Sequence, residues 1–297
     1  MSAPARAALF FTKENAASIR CGLCPHQCFL KDGTGGLCRV RFNSGGFGSL
    51  PYYGFISALA LDPIEKKPLY HFRPGTQILS AGFAGCNLRC PFCQNWHISQ
   101  NTDIPGRYIS PRELIAAAKN EAVSQIAYTY SEPLVHIEYL LDCMKEGRKQ
   151  GVANVLVSNG CVTKGAAAVI LEYTDAANID LKCFSGETYS KILGGDLEAV
   201  KSFIVAAHGR GVHLELTTLV VPGLNDSPDE LDASAGFIAG ISPGIPCHLS
   251  AYHPDWKWNA PPTRADFLLE AAKRAGQKLR YVYTGNIGAA RRPQNRS

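Results

Sequence analysis

The stretch Ile78-Leu-Ser-Ala-Gly-Phe83, followed by Cys86-Asn-Leu-Arg-Cys90-Pro-Phe-Cys93, decides how this chain is interpreted. The apolar run predicts a buried strand, and three cysteines spaced C-x3-C-x2-C follow it directly. Thiolate-rich sites select iron–sulfur clusters or zinc, and a closed structural site of either kind normally has four protein ligands. Three cysteines on one loop can bind three irons of a [4Fe–4S] cube and leave the fourth iron open. A structural zinc knuckle, or three unrelated buried cysteines, is the alternative.

Length and composition predict one large α/β domain with a small appendage. The chain has 297 residues, of which 46% are hydrophobic and 19% charged, so we expect an ordinary globular enzyme. No apolar run approaches the roughly 18 to 20 residues that cross a bilayer, and residues 1–6 lack the pattern of a secretion signal. The net charge of +5 is scattered, without a basic tract for nucleic acid. We therefore expect a cytoplasmic protein that binds neither nucleic acid nor a membrane.

A second group of cysteines precedes this loop. Cys21, Cys24, Cys28 and Cys38 have the spacing C-x2-C-x3-C-x9-C. The glycine-rich turn at residues 33–36 lets a short chain fold back on a metal. Eleven cysteines in such a chain favour metal ligation over disulfides. Zinc and a second iron–sulfur cluster both suit the four thiolates, and four reduced structural thiols are the alternative.

Beyond residue 76, strand-like and helix-like segments alternate, which predicts βα units around a parallel sheet. The predicted strands are 77–83, 125–130, 154–158, 177–182, 213–220 and 247–252. The predicted helices are 111–122, 134–150, 164–173, 197–210, 228–241 and 264–275. Six such units form an α/β fold, a partial (β/α)6 TIM-like barrel. The run 279–283 adds a strand or covers the barrel mouth.

The predicted domain organisation has three parts: a cysteine-rich segment at 1–75, the barrel at 76–287 and a basic tail at 288–297. Within the first part, residues 3–14 predict a short helix, and Asn43-Ser-Gly-Gly46 predicts a hairpin. Residues 62–72 are broken by prolines. Their charges either line the active-site rim or belong to a solvated connector.

Polar residues follow the predicted strands at their carboxyl ends, where such barrels place their chemistry. The residues concerned are Ser131, Glu132, Asn159, Asp180, Lys182 and His253. Two charges that close a buried strand, as Asp180 and Lys182 do, are costly unless they are paired or used. Glu132 also suits a helix N-terminus, where it complements the dipole. A lone histidine such as His253 is usually structural.

The cysteine spacing, with the aromatic Phe92 before the third cysteine, resembles the signature of the radical S-adenosylmethionine (radical SAM) superfamily. In that superfamily S-adenosylmethionine (SAM) chelates the open iron. One electron then splits SAM into methionine and a 5′-deoxyadenosyl radical, which abstracts hydrogen from a substrate. The resemblance implies a [4Fe–4S] cluster, SAM and a low-potential electron donor of the flavodoxin or ferredoxin type. The substrate is not identified by these motifs.

The same resemblance implies roles for the strand-end residues. Positions 130–132 resemble the Gly-Gly-Glu motif that holds the SAM ammonium group, with Tyr130 and Ser131 in place of the glycines. The other contacts implied are Asn159 with the ribose or the methionine carboxylate, Asp180 with the ribose hydroxyls, Lys182 with the carboxylate and His253 with the adenosine. Phe92 and Gln94, which flank the third cysteine, are expected to be further cofactor contacts.

Two branches of the superfamily resemble this chain. Asp180-Leu-Lys182 and Tyr252-His253 resemble the glycyl-radical-enzyme activases, typified by pyruvate formate-lyase activating enzyme. The fuller resemblance is to the radical SAM enzyme of the AmmeMemoRadiSam system, on Arg20-Cys21 and on residues 62–72, 94–96, 128–133 and 281–286. It implies Memo-like and AMMECR1-like partners. The chain departs from that family in having no cysteine after Cys247.

Three alternatives to this function are open. One is activation of a glycyl-radical enzyme. Another is a zinc-stabilised binding or scaffold protein whose barrel has lost catalysis. The third is a thiol–disulfide oxidoreductase using Cys21–Cys24 or Cys90–Cys93, which would need a cysteine of low pKa at a helix start.

Overall fold

The computed structural model describes residues 7–287, and it begins with short strands. These are β1 (Phe11–Lys13), β2 (Ile19–Cys21), β3 (Phe29–Leu30), β4 (Phe42–Ser44), β5 (Phe47–Ser49), β6 (Phe55–Ile56) and β7 (Ala58–Pro63). The first three form an antiparallel sheet, and β4 pairs with β5, which confirms the predicted hairpin. The helix predicted over 3–14 is wrong in its described part. Phe11 is extended instead, because it pairs with Cys21 and its ring packs against Gly48.

The remaining strands follow, and all of them except β9 join β7 in the central sheet. They are β8 (Gln77–Gly82), β9 (Arg107–Tyr108), β10 (Gln125–Thr129), β11 (Ala153–Ser158), β12 (Ala176–Asp180), β13 (His213–Val220), β14 (Cys247–Ala251) and β15 (Val282–Gly285). The eight-stranded sheet has the order β15-β14-β13-β12-β11-β10-β8-β7. All neighbours in it are parallel except β7, which runs antiparallel to β8 at one edge. The short strand β9 pairs with β6 outside this sheet.

The predicted α/β partial barrel is confirmed. All six predicted strands are present, with ends that differ from the prediction by two residues at most. The run predicted at 279–283 overlaps β15, which begins at Val282 and ends at Gly285, so its strand alternative is confirmed. Within residues 7–287 the sheet therefore has seven parallel strands, and β15 covers the hydrogen-bonding edge that β14 would otherwise expose. The boundaries proposed for the domains stay predictions, and the tail at 288–297 lies outside the described residues.

Helices connect the strands and cover the outer face of the sheet. They are α1 (Trp96–Ser99), α2 (Pro111–Asn120), α3 (Ile137–Lys149), α4 (Lys164–Leu171), α5 (Gly186–Thr188), α6 (Leu197–Gly209), α7 (Pro228–Ile241) and α8 (Ala265–Ala275). Two 3₁₀ turns (Ile64–Lys66, Pro133–His136) and a π-helical turn (Tyr189–Leu193) complete the set. Ser110 and Glu113 form a capping box at the start of α2. None of the helices within residues 7–287 has the length and apolar character needed to cross a membrane.

The connector between β7 and β8 closes the floor of the barrel. Alternate residues of each strand face the interior, and several apolar ones pack against the connector. This cluster contains Ile64 and Leu69 from the connector and Ile78, Ala127, Val155 and Ala176 from the strands. The carboxyl ends of the strands therefore remain the open end of the barrel.

A carboxylate inside the barrel anchors the connector. Glu215 is fully buried and accepts hydrogen bonds from the backbone amides of Tyr70 (3.0 Å) and His71 (2.7 Å). It is also bonded to His213 Nε2 (3.0 Å) and His248 Nε2 (2.7 Å). Burial would raise the pKa of Glu215, but the histidine and backbone hydrogen bonds outweigh it and lower the pKa to about 2. Glu215 is therefore ionised at neutral pH and fixes the floor to β13.

A charged pair between Asp62, near the end of β7, and Lys67 of the connector is also buried. Asp62 and Lys67 are 7% and 3% exposed, and Lys67 Nζ lies 2.8 Å from Asp62 Oδ2. The same carboxylate accepts hydrogen bonds from Ser80 Oγ (2.9 Å) and from the hydroxyl of Tyr130 (2.7 Å). For these two charges the solvated-connector interpretation is wrong, because the pair is neutralised and hydrogen-bonded between strands.

We expect Glu215→Gln to lower the free energy of unfolding by about 2 kcal/mol or more. Tyr70 and His71 donate to different carboxylate oxygens, so the amide NH₂ of Gln must face one of these donors. Because the folded pKa lies below the ordinary value, the stabilisation by Glu215 is present above about pH 4.5 and is lost as pH falls toward 2. The difference between variant and wild type, measured by urea unfolding, should therefore shrink in acid.

The matched control is Glu270→Gln, on the exposed face of α8, where the partner Lys273 is 3.7 Å away. We expect it to change stability by less than about 0.5 kcal/mol. Equal unfolding midpoints for the two variants would contradict an anchoring role for Glu215.

Candidate active site

The loop with Cys86, Cys90 and Cys93 starts at the carboxyl end of β8. Gly85 begins it with φ +80°, and a Cβ there would lie 2.4 Å from the carbonyl oxygen of Cys38. Only glycine fits this approach. Cys90 is buried and the other two cysteines are partly buried. The loop is thus packed tightly against the N-terminal segment at its first residue.

The three thiols of this loop influence one another's ionisation. Burial raises the pKa of Cys86 well above its ordinary value, and the charges of Glu132, Cys90 and Cys93 raise it further. Burial also raises the pKa of Cys90 to about 12, although Lys182 counteracts part of this rise. Such thiols lose their protons when a cation compensates the thiolate charge, as a bound metal does.

The donor set fits an iron–sulfur cluster with one open iron. Among residues 7–287, no three or more His, Cys, Asp and Glu side chains surround the position of a single metal ion. Each thiolate of a cubane binds a different iron, so the three sulfurs need not meet at one point. Leu88 donates its backbone N–H to Cys86 Sγ at 3.3 Å, and Ser99 Oγ lies 3.2 Å from Cys93 Sγ. Hydrogen bonds to sulfur are among the contacts that tune such clusters.

The end of β10 has an unusual backbone. Tyr130 has φ +72°, in the left-handed region that favours glycine. This is the conformation that a glycine would adopt without strain at the first position of the Gly-Gly-Glu pattern. Ser131 Oγ donates to the carbonyl oxygen of Phe83 at 2.7 Å, so the turn is tied to the end of β8.

Glu132 joins the ends of β10 and β11. Its side chain is buried, and Oε1 accepts hydrogen bonds from Leu134 N (2.9 Å) and Ser158 Oγ (2.7 Å). Oε2 accepts one from Asn159 N at 2.8 Å. Burial raises the pKa of Glu132 to about 7, against the effect of these bonds. The bond from Leu134 caps the following 3₁₀ turn, so the expected helix-terminal role is confirmed. A carboxylate has about four acceptor sites, and Oε2 keeps one for a further donor.

Asn159 links Glu132 to the cysteine loop. Its Nδ2 donates to Asn87 Oδ1 at 2.9 Å and lies 3.7 Å from Cys86 Sγ. Asn87 in turn donates to the carbonyl oxygen of Cys161 at 2.7 Å. Sequence analysis did not single out Asn87. Its only signal was a polar residue directly after the first cysteine of the loop.

Asp180 and Lys182 form an ion pair beside the thiols. Lys182 Nζ lies 3.0 Å from Asp180 Oδ2, and the two side chains are 21% and 34% exposed. Burial would lower the pKa of Lys182, but Asp180, Cys90 and Cys93 raise it above its ordinary value. The charges that close β12 are therefore paired.

The structure does not bring every predicted residue into this group. Phe92 is 3% exposed and packs in the main apolar core, whereas Gln94 and His253 are exposed. Within residues 7–287, no side-chain hydrogen bond or ion pair joins Gln94 or His253 to the cysteines, Glu132, Asn159 or the Asp180–Lys182 pair. Their roles stay predictions.

The loop after β14 covers the cysteine loop, which sequence analysis missed. Lys257 donates its backbone N–H to the carbonyl oxygen of Pro91 at 2.9 Å. The rings of Trp96 and Trp256 are nearly parallel, with centroids 6.3 Å apart and planes inclined by 6°. One sequence feature could have indicated this contact: the three tryptophans of the chain lie just after the cysteine loop (Trp96) and after β14 (Trp256 and Trp258).

Related sequences agree with this geometry. The family model of the Radical SAM superfamily matches residues 82–235. An uncharacterized protein of Methanocaldococcus jannaschii is 38% identical over 95% of this chain and 85% of its own length. The pyruvate formate-lyase-activating enzyme of Clostridium pasteurianum is 25% identical over 58% of this chain and 73% of its own length.

Solved structures share the fold at low sequence identity. Streptococcus suis SuiB bound to S-adenosylmethionine matches 71% of this chain and 52% of its own, with a TM-score of 0.55 and 12% identity. A radical SAM methyltransferase from Sphaerobacter thermophilus matches 74% of this chain and 70% of its own, with a TM-score of 0.51 and 16% identity. Together, the cysteine loop at the end of β8, the partial barrel and the family match show that this chain belongs to the radical SAM superfamily and is a radical SAM enzyme.

Proposed function

We propose that Cys86, Cys90 and Cys93 hold the [4Fe–4S] cluster and that the adjoining pocket binds SAM. The observation that carries this proposal is that three cysteines, one carboxylate and one cation follow the carboxyl ends of β8, β10 and β12 in one parallel sheet. Asn159 joins Glu132 to the first cysteine, since its backbone N–H donates to Glu132 Oε2 at 2.8 Å and its Nδ2 lies 3.7 Å from Cys86 Sγ. Lys182 is paired with Asp180 at 3.0 Å at the end of β12. A cluster with an open iron and a SAM molecule with an ammonium and a carboxylate group require these charges.

The chemistry that the cluster and SAM supply when bound is one-electron cleavage to methionine and a 5′-deoxyadenosyl radical, which abstracts hydrogen from the substrate. The chain's own contribution is orientation and exclusion of water. Cys90 and Glu132, which are 6% and 1% exposed, already lie away from solvent. Radical SAM enzymes use an external reductant, and for this one we propose a low-potential flavodoxin or ferredoxin.

The proposed contacts to SAM follow from the free hydrogen-bonding capacity in the pocket. Glu132 Oε2 has one acceptor site left for the ammonium group. Lys182 suits the methionine carboxylate and Asp180 the ribose hydroxyls, while Asn159 suits the ribose or the carboxylate. Phe92, Gln94, Ser131 and His253 are proposed as further contacts on the family pattern.

A second candidate function is activation of a glycyl-radical enzyme. It is favoured by the similarity to proteins named pyruvate formate-lyase-activating enzymes. In that case the hydrogen donor would be a protein loop entering the barrel mouth. The motifs shared with the AmmeMemoRadiSam enzyme suggest Memo-like and AMMECR1-like proteins as partners.

Two further proposals concern the rest of the chain. Cys21, Cys24, Cys28 and Cys38 are proposed to hold a second metal, either zinc or an iron–sulfur cluster. The cytoplasm is proposed as the compartment, since all eleven cysteines are free thiols and reducing conditions keep thiols free.

A thiol–disulfide oxidoreductase is disfavoured by the cysteines themselves. Such an enzyme needs a thiol whose pKa is lowered. Burial instead raises the pKa of Cys24 and of Cys90 to about 12. Cys24 belongs to the candidate pair Cys21–Cys24, and Cys90 belongs to the candidate pair Cys90–Cys93. In each pair one thiol would therefore be difficult to ionise at neutral pH.

We expect Cys90→Ala to abolish formation of 5′-deoxyadenosine, because it removes one of three cluster ligands. The protein is reconstituted anaerobically with iron and sulfide, reduced with dithionite, given SAM, and the nucleoside is quantified by chromatography. Cys247→Ala is the control, since Cys247 is an equally buried thiol on β14. The assignment fails if Cys90→Ala still produces 5′-deoxyadenosine.

We expect Lys182→Gln to weaken SAM binding roughly tenfold, because one charge-assisted hydrogen bond to the carboxylate is lost. Binding is measured as the change that SAM causes in the electron paramagnetic resonance (EPR) spectrum of the reduced cluster, normalised to iron content. Lys191→Gln, an exposed lysine paired with Glu187, is the matched control and should bind as wild type. Equal affinities for the two variants would rule out the Lys182 contact.

A further inference from the structure

The chain reverses sharply between β10 and Glu132. Ser131 donates its backbone N–H to the carbonyl oxygen of Thr129 at 3.1 Å, and Tyr130 between them has φ +72°. A hydrogen bond across three residues with a positive φ at the central one forms the rarer and strained kind of γ-turn. A residue with a side chain persists in such a conformation only where the surrounding structure holds it there.

The side chain of Tyr130 is held on three sides. Its hydroxyl donates to Asp62 Oδ2 at 2.7 Å, and Lys67 Nζ lies 4.4 Å from the centre of its ring. The ring also lies against Gly82, where a Cβ would be 2.8 Å from Tyr130 Cδ2. Burial raises the pKa of Tyr130 to about 12 and the bond to Asp62 adds to the rise, so the hydroxyl remains a donor at neutral pH.

The reversal directs the next residues toward the cysteine loop. Glu132 donates its backbone N–H to the carbonyl oxygen of Gly85, where that loop begins, at 3.4 Å. Its side chain accepts the hydrogen bonds from Ser158 and Asn159 described above. An extended continuation of β10 would instead carry Glu132 roughly 10 Å beyond Thr129. The position of the carboxylate therefore depends on the turn at Tyr130.

We propose that Tyr130 is a positioning residue for SAM: the buried Asp62–Lys67 pair holds its side chain, the side chain holds the strained turn, and the turn places Glu132 to meet the ammonium group. The inference rests on the SAM contact proposed above for Glu132 and adds the residues that fix its position. A buried ion pair adds little net stability compared with apolar packing. At this site the pair restrains one strained backbone conformation.

Tyr130→Gly and Tyr130→Ala separate the turn from the side chain, since both remove the ring and the hydroxyl. Glycine adopts a positive φ without strain, whereas alanine does not. We expect Tyr130→Ala to bind SAM about tenfold more weakly than wild type, and Tyr130→Gly to bind several-fold more tightly than Tyr130→Ala. Binding is measured as the change that SAM causes in the EPR spectrum of the reduced cluster.

The stability of the same two variants gives a readout that does not involve SAM. We expect a higher urea midpoint of unfolding for Tyr130→Gly than for Tyr130→Ala, the reverse of their order at an ordinary position. Equal SAM affinities for the two variants, or a lower midpoint for the glycine variant, overturn the proposal.

Tyr130→Phe tests the bond to Asp62, because it keeps the ring and removes only the hydroxyl. We expect a several-fold loss of SAM affinity. Tyr128→Phe is the matched control: Tyr128 is a buried tyrosine of the same strand whose hydroxyl donates to Asn154 at 3.3 Å, and its loss should leave SAM binding as in wild type. Equal affinities for the two variants overturn the role of Asp62.

Asp62→Asn tests whether the ion pair acts through the turn. We expect it to weaken SAM binding, and adding Tyr130→Gly should restore much of the loss, since glycine does not need to be held. An ion pair that only stabilises the barrel would give no such rescue. A double variant that binds SAM no better than Asp62→Asn alone overturns the proposal.

Glu132→Gln distinguishes failure of this inference from failure of the proposed function. We expect it to weaken SAM binding about tenfold, because the charge that meets the ammonium group is lost. If it does so while the Tyr130 variants bind SAM as wild type, the positioning role alone is overturned. If Glu132→Gln itself binds SAM as wild type, the proposed contact is wrong and this inference is overturned with it.

Discussion

The hydrogen bond from the Asn159 backbone to Glu132 is the contact on which the geometry of the site depends. Parallel strands β10 and β11 end side by side, and this bond fixes their following loops to each other. The side chain of Asn159 then reaches Asn87 and the first cysteine. Because Glu132 is ionisable and almost fully buried, its three donors are needed to offset the cost of desolvation. The same donors fix the direction of its remaining acceptor site.

Three other groups of buried charges within residues 7–287 are held by charged or hydrogen-bonding partners. Glu215 holds the barrel floor, Asp62 pairs with Lys67, and Arg41 pairs with Glu138. Such pairs add little net stability compared with apolar packing, but loss of one partner leaves a charge that water cannot reach. They therefore fix how the connector and the N-terminal segment sit on the barrel. The position of the N-terminal segment in turn affects the active site, because the cysteine loop starts at Gly85, which packs against Cys38.

Much of the candidate site could be predicted, because the residue types and spacings that indicate it lie close together in sequence or at strand ends. Cys86, Cys90 and Cys93 are neighbours in sequence, and Glu132, Asn159 and Asp180 each come at a strand end, where a parallel sheet must bring them to one edge. Asn87 gave no comparable signal, because its partners, the side chain of Asn159 and the carbonyl oxygen of Cys161, are far away in sequence. The stacking of Trp96 on Trp256 joins loops 160 residues apart, which no periodicity reveals.

The sequence by itself determined the class of protein: a cysteine triplet after a buried strand, and alternating βα units with polar strand ends. These are local properties, set by residue type and by the periods of strand and helix. Only the tertiary structure decided that β15 completes the sheet, that the Asp62–Lys67 pair is buried, and that Cys38 packs against the start of the Cys86 loop. Burial and the pairing of charges depend on which distant segments pack together, so they exist only once the chain has folded.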